Sequence, residues 1–210
     1  FTSKADEETL RRIEASAKLE FRPVIFTDVA ATSAADGSTP TPVPTEGLST
    51  TPTASPTDAS DPSWVTEALY AEFQNFDCAK LEHANTNVAP ADEPLITCET
   101  DGSYKYILGP VEVTGDTISD ATSGLIMNSQ GVSTGQWGVF ITFNDEGTQK
   151  FAKVTERLYG FPQTDPRNRF AIVLDGRVIS APTTQGIITD GKPQISGSFT
   201  QQSAKTLADQ

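Results

Sequence analysis

The side chains that most often carry chemistry are scarce and scattered in this chain of 210 residues. The single histidine, His83, lies in the polar stretch LEHANTN, with no apolar neighbours to hold its ring rigidly. A serine or cysteine nucleophile needs a base within reach, normally histidine. Paired carboxylates run glycoside chemistry, and Glu20, Asp28, Asp145, Glu146 and Asp175 qualify by type. Asp145 and Glu146, however, fall at an expected helix start, and Asp175 falls in a turn. Gly109, Gly115, Gly124, Gly131, Gly135 and Gly138 are spread through expected turns and strands, and no GxGxxG or GxxxxGK phosphate loop occurs. Calcium loops of the DxDxDG type are missing too. Cys78, Cys98 and His83 leave a zinc site short of a ligand at any familiar spacing. The two cysteines fit either a disulfide in an oxidising compartment or two buried thiols. The expectation is a protein without a catalytic site, metal or cofactor.

Composition narrows the partners. The formal net charge of −13 argues against nucleic acid, because phosphate binding needs Lys and Arg to replace counterions. It also argues against docking on anionic lipid, and is compatible with unfolded or basic partners. Apolar residues make up 36% of the chain, low for a compact domain, so part of it should lie outside any core. No apolar run approaches the ~20 residues that cross a bilayer, and FTSKADEETL lacks the pattern of a signal peptide. The chain reads as soluble, as an excised loop of a membrane protein also would.

Asp6–Ala17 has helical spacing in Leu10, Ile13 and Ala17, with acidic residues at its positive end. LEFRPVIF reads as a strand, with Pro23 marking its end or an edge. From Asp28 to Pro62 the chain turns to Thr, Ser, Pro and Ala and contains no Lys or Arg. Such a segment buries too little to offset its ordering entropy. It reads as a disordered insertion, with an O-glycosylated stalk as the alternative. Order should resume at Asp61-Pro62-Ser63, a helix start, followed by the apolar stripe Val65, Leu69, Phe73 and Phe76. Strands return in PLITCETDGSYKYILGPVEV, with Asp101-Gly102 as a turn. Further on, Trp137–Phe143 alternates as a strand, and Asn144 or Asp145 caps a helix presenting Phe151, Val154 and Leu158. FAIVLDGRVIS is a hairpin turning at Asp175-Gly176, QISGSF is a strand, and a helix begins at Thr200. The expected fold class is α+β, with helices on one face of an antiparallel sheet in a split, ferredoxin-like order.

Five segments in order resemble the SecD family, accessory subunits of the bacterial Sec translocon. ASAKLEFRPV is similar to the family's AxLxFR strand, and KYILGPVEVTGDTISDAT to its LGP segment. WGVFITFNDEGTQKFAKVT, NRFAIVLDGRVISAP and QISGSFTQQSAKTLA follow at family-like spacing. The Ser/Thr/Pro-rich insertion and paired cysteines resemble actinobacterial versions.

The resemblance implies a large extracytoplasmic loop of a multi-pass membrane protein, with a ferredoxin-like base and a smaller, mobile α+β head. With SecF, such a loop assists export of unfolded preprotein at the SecYEG channel, driven by the proton gradient. The implied division is base 1–27, linker 28–62, head 63–130 and base 131–210. The family's proton-relay residues sit in membrane helices, which this sequence does not contain. Trp64, Leu69, Tyr70, Phe73 and Phe76 are candidates for polypeptide binding, or simply head core. Gly109, Pro110, Gly131 and Gly135 are candidate hinges, or ordinary turns. The alternative function is a cell-surface adhesion module on a Pro/Thr-rich stalk.

Overall fold

The computed structural model describes residues 19–29, 44, 46–78, 90–99, 102–174, 176–184 and 186–199. The expected helices at Asp6–Ala17 and from Thr200, and the calls on His83, Asp101 and Asp175, fall outside the described residues.

One strand organises the molecule. β1 (Leu19–Val29) is rich in branched and aromatic residues suited to a buried pleated surface. It runs past Pro23 rather than ending there. Its first half pairs on one side with β7 (Phe170–Leu174) and on the other with β4 (Val113–Thr114); its second half pairs with β3 (Tyr104–Leu108). Pairing with β7 does stop at Pro23, opposite Phe170. The missing proline donor therefore falls where the strand changes partners. The carbonyl of Pro23 is still used, accepting from Gly109 N at 2.9 Å, and Val24 N donates to Arg169 O.

The resulting antiparallel sheet has the order β2-β3-β1-β7-β8, with β4 beside β1. β2 (Leu95–Cys98) and β8 (Arg177–Ser180) are its outer strands. They approach each other, because Glu99 bridges Val178 and Thr97 Oγ1 donates to Gly176 O. The curled sheet gathers Val24, Leu95, Tyr106, Leu108, Ala171, Val173 and Val178 into one buried cluster. A second sheet has the order β5-β6-β9, formed by β5 (Ile118–Met127), β6 (Ser133–Phe143) and β9 (Gln194–Phe199).

The α+β class is as expected, but the strands of the last third do not share one sheet. β6 and β9 lie in the second sheet, while β7 and β8 are drawn into the first by pairing with β1.

Two helices complete the layers. α1 (Glu67–Asn75) begins later than expected. Asp61 caps only a single 3-10 turn, Pro62–Trp64, after which Val65 is extended; the Thr66 hydroxyl then caps α1 through Leu69 N. α2 (Asp145–Tyr159) is capped by Asn144, whose side chain accepts from Gly147 N, with Asp145 and Glu146 in its first turn. Phe151, Val154 and Leu158 of α2 are buried against Val139, Ile141 and Phe143 of β6, and against Phe21, Phe170 and Ile172 of the first sheet. The ring of Phe151 lies 5.2 Å from Phe143 and 5.3 Å from Phe170, so it joins both sheets.

The stretch expected to be disordered, 28–62, follows a defined path wherever it is described. Asp28 and Val29 belong to β1. Residues 46–62 are pinned at Ser49, which hydrogen-bonds Ala68 N and Glu67, and at Ser60, which is buried. Arg157 of α2 holds Ser60 Oγ at 2.9 and 3.1 Å while gripping Glu112 through two bonds. The low-complexity composition did not reveal this because the anchoring charge belongs to a distant helix.

Because Phe151 fills the junction of both sheets, Phe151→Ala should cost about 3–5 kcal/mol, as large-to-small aromatic core changes do. The expected readout is a lowered midpoint in urea unfolding followed by near-UV circular dichroism. An unchanged midpoint would contradict the core described here.

Candidate functional site

An apolar groove of about 600 Å³ lies beside the second half of β1. Ile25 and Phe26 of β1, with Pro62, Val65 and Tyr70, form one wall; Pro162, Thr164, Asp165, Pro166 and Arg167 form the other.

The first wall is built on an aromatic stack. Phe26 meets Tyr70 edge-on at 5.9 Å and Phe73 at 5.4 Å. Phe73 is fully buried over Ile96 and Ile107, whereas Tyr70 is 40% exposed and presents its ring to the groove. Three devices hold α1 in place. Lys105 of β3 donates from Nζ to Phe73 O at 2.8 Å and to Gln74 O at 3.1 Å, satisfying carbonyls at the end of the helix. Its ammonium also lies 4.7 Å from the Phe73 ring centroid. Burial pushes the Lys105 ammonium below its ordinary value, with Asp28 opposing the shift. Beyond the helix, Cys78 and Cys98 form a disulfide that ties the chain to β2.

The second wall neutralises its own charge. Asp165 accepts from Arg167 N at 2.9 Å and pairs with the guanidinium at 2.7 Å, and these contacts hold its carboxyl below the usual range. Arg167 also stacks on Phe161 at 4.5 Å. Behind this turn, buried Asn168 donates to Leu158 O and Phe161 O and accepts from Thr184 N. The prolines therefore face the groove from a fixed frame. Such a surface suits extended, apolar polypeptide without demanding one sequence.

The sequence candidates divide by position. Tyr70 lines the groove, and Phe73 supports it from below. Leu69 and Phe76 pack partly buried against the Phe73 cluster. Trp64 is directed elsewhere, its indole donating to Asp58 O at 2.8 Å. Ile25, Phe26 and the 162–167 turn were not anticipated; the only signal was the Pro-rich FPQTDPRN, which does not reveal that it faces β1. Gly109 is packed so that a Cβ would fall 1.8 Å from Ala59 O, and Pro110 beside it is buried. Gly131 and Gly135 have φ near 75° in open space, on and next to the turn that joins β5 to β6.

The candidate carboxylates are separately engaged. Glu20 pairs with Arg22, Asp28 accepts from Val29 N, and Glu146 pairs with Lys150. Among the described residues no group of three or more His, Cys, Asp or Glu is arranged to hold a metal.

Two outcomes test this frame. Cys78→Ser with Cys98→Ser should cost about 3 kcal/mol, the loop-closure value for a span of this length, read by urea unfolding of the oxidised protein against the variant. Lys105 has a lowered folded pKa, so between that value and 10.5 the unfolded chain binds more protons and folding gains stability as pH rises. Subtracting the Lys105→Met stability curve should leave this upward slope. A flat difference over that window would contradict the assignment.

Known proteins were compared with the chain. A family profile described as SecDF, P1 head subdomain, matches residues 93–210. The protein translocase subunit SecD of Streptomyces coelicolor is 36% identical over 149 residues, covering 69% of this chain and 25% of that protein. SecD of Acetobacter pasteurianus is 41% identical over 108 residues, 51% of this chain and 18% of that protein. SecD of Mycobacterium tuberculosis is 36% identical over 118 residues, 55% of this chain and 18% of that protein. The chain thus spans a quarter or less of these relatives. A crystal structure of SecDF in a super-membrane-facing form aligns with a TM-score of 0.47 at 24% identity, covering 99% of this chain and 20% of that one.

Proposed function

The chain belongs to the SecDF P1 head family, and from that premise we propose that it acts at the extracytoplasmic face of the cell membrane, holding emerging polypeptide during Sec-dependent export. The observation that carries this reading is the neutral, apolar groove between β1–α1 and the 162–167 turn. A carrier of many different preproteins cannot rely on matched side chains. It needs apolar contact with little charge preference, and Tyr70, Phe26, Val65, Pro162 and Pro166 supply that. Among the described lining residues the charged pair, Asp165 and Arg167, is satisfied internally, so entering peptide meets no unpaired charge from them.

The partners in this reading are unfolded preprotein and, through the membrane-embedded parent, SecF and the SecYEG channel. Proton-gradient energy would reach this domain as motion imposed from the membrane helices. Among the described residues no helix is long and apolar enough to cross a membrane. No role in bond-making chemistry is assigned to the domain.

Photocrosslinkers placed at Tyr70 and Thr164, on opposite walls, should capture a stalled secretory preprotein in the full-length parent. Tyr159, half exposed but outside the groove, serves as the control and should give at least tenfold less adduct. Equal yields at all three positions, or none at either wall, would remove the groove as the binding surface.

A further inference from the structure

Polypeptide binding leaves the Thr/Pro-rich tract without a use. Residues 49–57, STTPTASPT, form no helix or strand. Thr50, Thr51, Thr53 and Ser55 are exposed, and no hydrogen bond engages any of their hydroxyls. The neighbouring hydroxyls are occupied. Ser49 Oγ donates to Thr51 O, Thr57 Oγ1 donates to Asp61, and Ser60 lies buried under Arg157. The tract is therefore held at both ends while four exposed hydroxyls between the anchors make no hydrogen bond.

We propose that Thr50, Thr51, Thr53 and Ser55 are O-glycosylation sites, each accepting a hexose from a polyprenyl-phosphate-linked donor. Pro52 and Pro56 fix φ and remove backbone donors, so the tract, which bends at Thr51, Thr53 and Ala54, cannot join a sheet. That geometry suits a transferase, which must bring a hydroxyl and its flanking backbone into an active site. In the transfer the hydroxyl oxygen attacks the sugar's anomeric carbon. The bond from that carbon to the phosphate oxygen breaks, its electron pair leaves with the polyprenyl phosphate, and the hydroxyl proton passes to a base of the transferase. A sugar at these positions displaces no contact of the fold, whereas one on Thr57 or Ser60 would break the Asp61 or Arg157 anchor. The pattern of occupied and empty hydroxyls thus follows from the structure and not from composition alone.

The proposal rests on the extracytoplasmic placement above, since lipid-linked donors serve that face. The test is mass spectrometry of the full-length parent purified from its own cells, after cleavage behind Glu46 and Glu67. The expected result is hexose adducts on the Gly47–Glu67 peptide, localised by electron-transfer fragmentation to residues 50, 51, 53 and 55 and absent from 57 and 60. They should disappear in the quadruple alanine variant without loss of folding. The same digest reports the state of Cys78 and Cys98. An unmodified peptide with the disulfide formed overturns glycosylation but keeps the placement; an unmodified peptide with free thiols overturns both. Adducts confined to Thr57 or Ser60 would also overturn the proposal.

Discussion

A guanidinium buried at the centre of the longer sheet sets the terms for much of the rest. Arg22 is 0% exposed on β1. Taking its charge out of water is tolerable only with partners on several sides. Its Nη1 donates to Glu93 O at 2.7 Å and Gly109 O at 3.3 Å, Nη2 reaches Pro90 O, and Nε pairs with Glu20 at 3.0 Å. Those carbonyls belong to the turn leading into β2 and to the irregular link between β3 and β4. One side chain thereby fixes where β2 begins and how β3 passes into β4 alongside β1. An apolar replacement of similar volume would strand the buried Gly109 carbonyl, at about 1–3 kcal/mol if left unpaired.

With β1 held in this way, its two halves divide the labour. Phe21 in the first half enters the core with Phe143, Phe151 and Phe170, at ring separations between 5.4 and 6.4 Å. Ile25 and Phe26 in the second half line the groove. Core and groove are therefore built on consecutive residues of a single strand, with Pro23 between them at the change of partners. The same economy governs three of the acidic chain's cations. Lys105 is spent on α1's carbonyls and the Phe73 face, Arg167 on Asp165, and Arg157 on Glu112 and Ser60.

Local chemistry made much of this legible. Asn144, Asp145 and Gly160 delimit α2 in the sequence, and the helix runs from Asp145 to Tyr159. The hairpin around Gly176 and the strand at Gln194 were equally plain, because Gly at φ 79° and alternating apolar residues are local signals. β5 was not legible. ISDATSGLIM carries Asp120, Gly124 and few branched residues, and becomes a strand through pairing with β6 along most of its length. The groove was half legible for a similar reason. Helical spacing picked out Phe73, and Tyr70 stood beside that stripe as a binding candidate, but nothing local states that β1 brings Phe26 beneath them or that Asn168 steers the 162–167 turn to face them. The buried roles of Arg22 and Lys105 were equally hidden, since strand periodicity assigns a face and not a partner.

The distribution of anchors also constrains where the domain can bend. Bending at Gly109 would break its bond to Pro23 O and force its backbone against Ala59. Bending at Gly131 or Gly135 would swing only the end of the β5–β6 hairpin and leave both groove walls where they are. The walls themselves are tied on one side by Lys105 and the Cys78–Cys98 bridge, and on the other by Asn168. Opening the groove from within would require breaking several of these ties at once, whereas moving the whole domain breaks none. The groove is therefore preformed, and Tyr70 and Pro162 meet solvent at its rim.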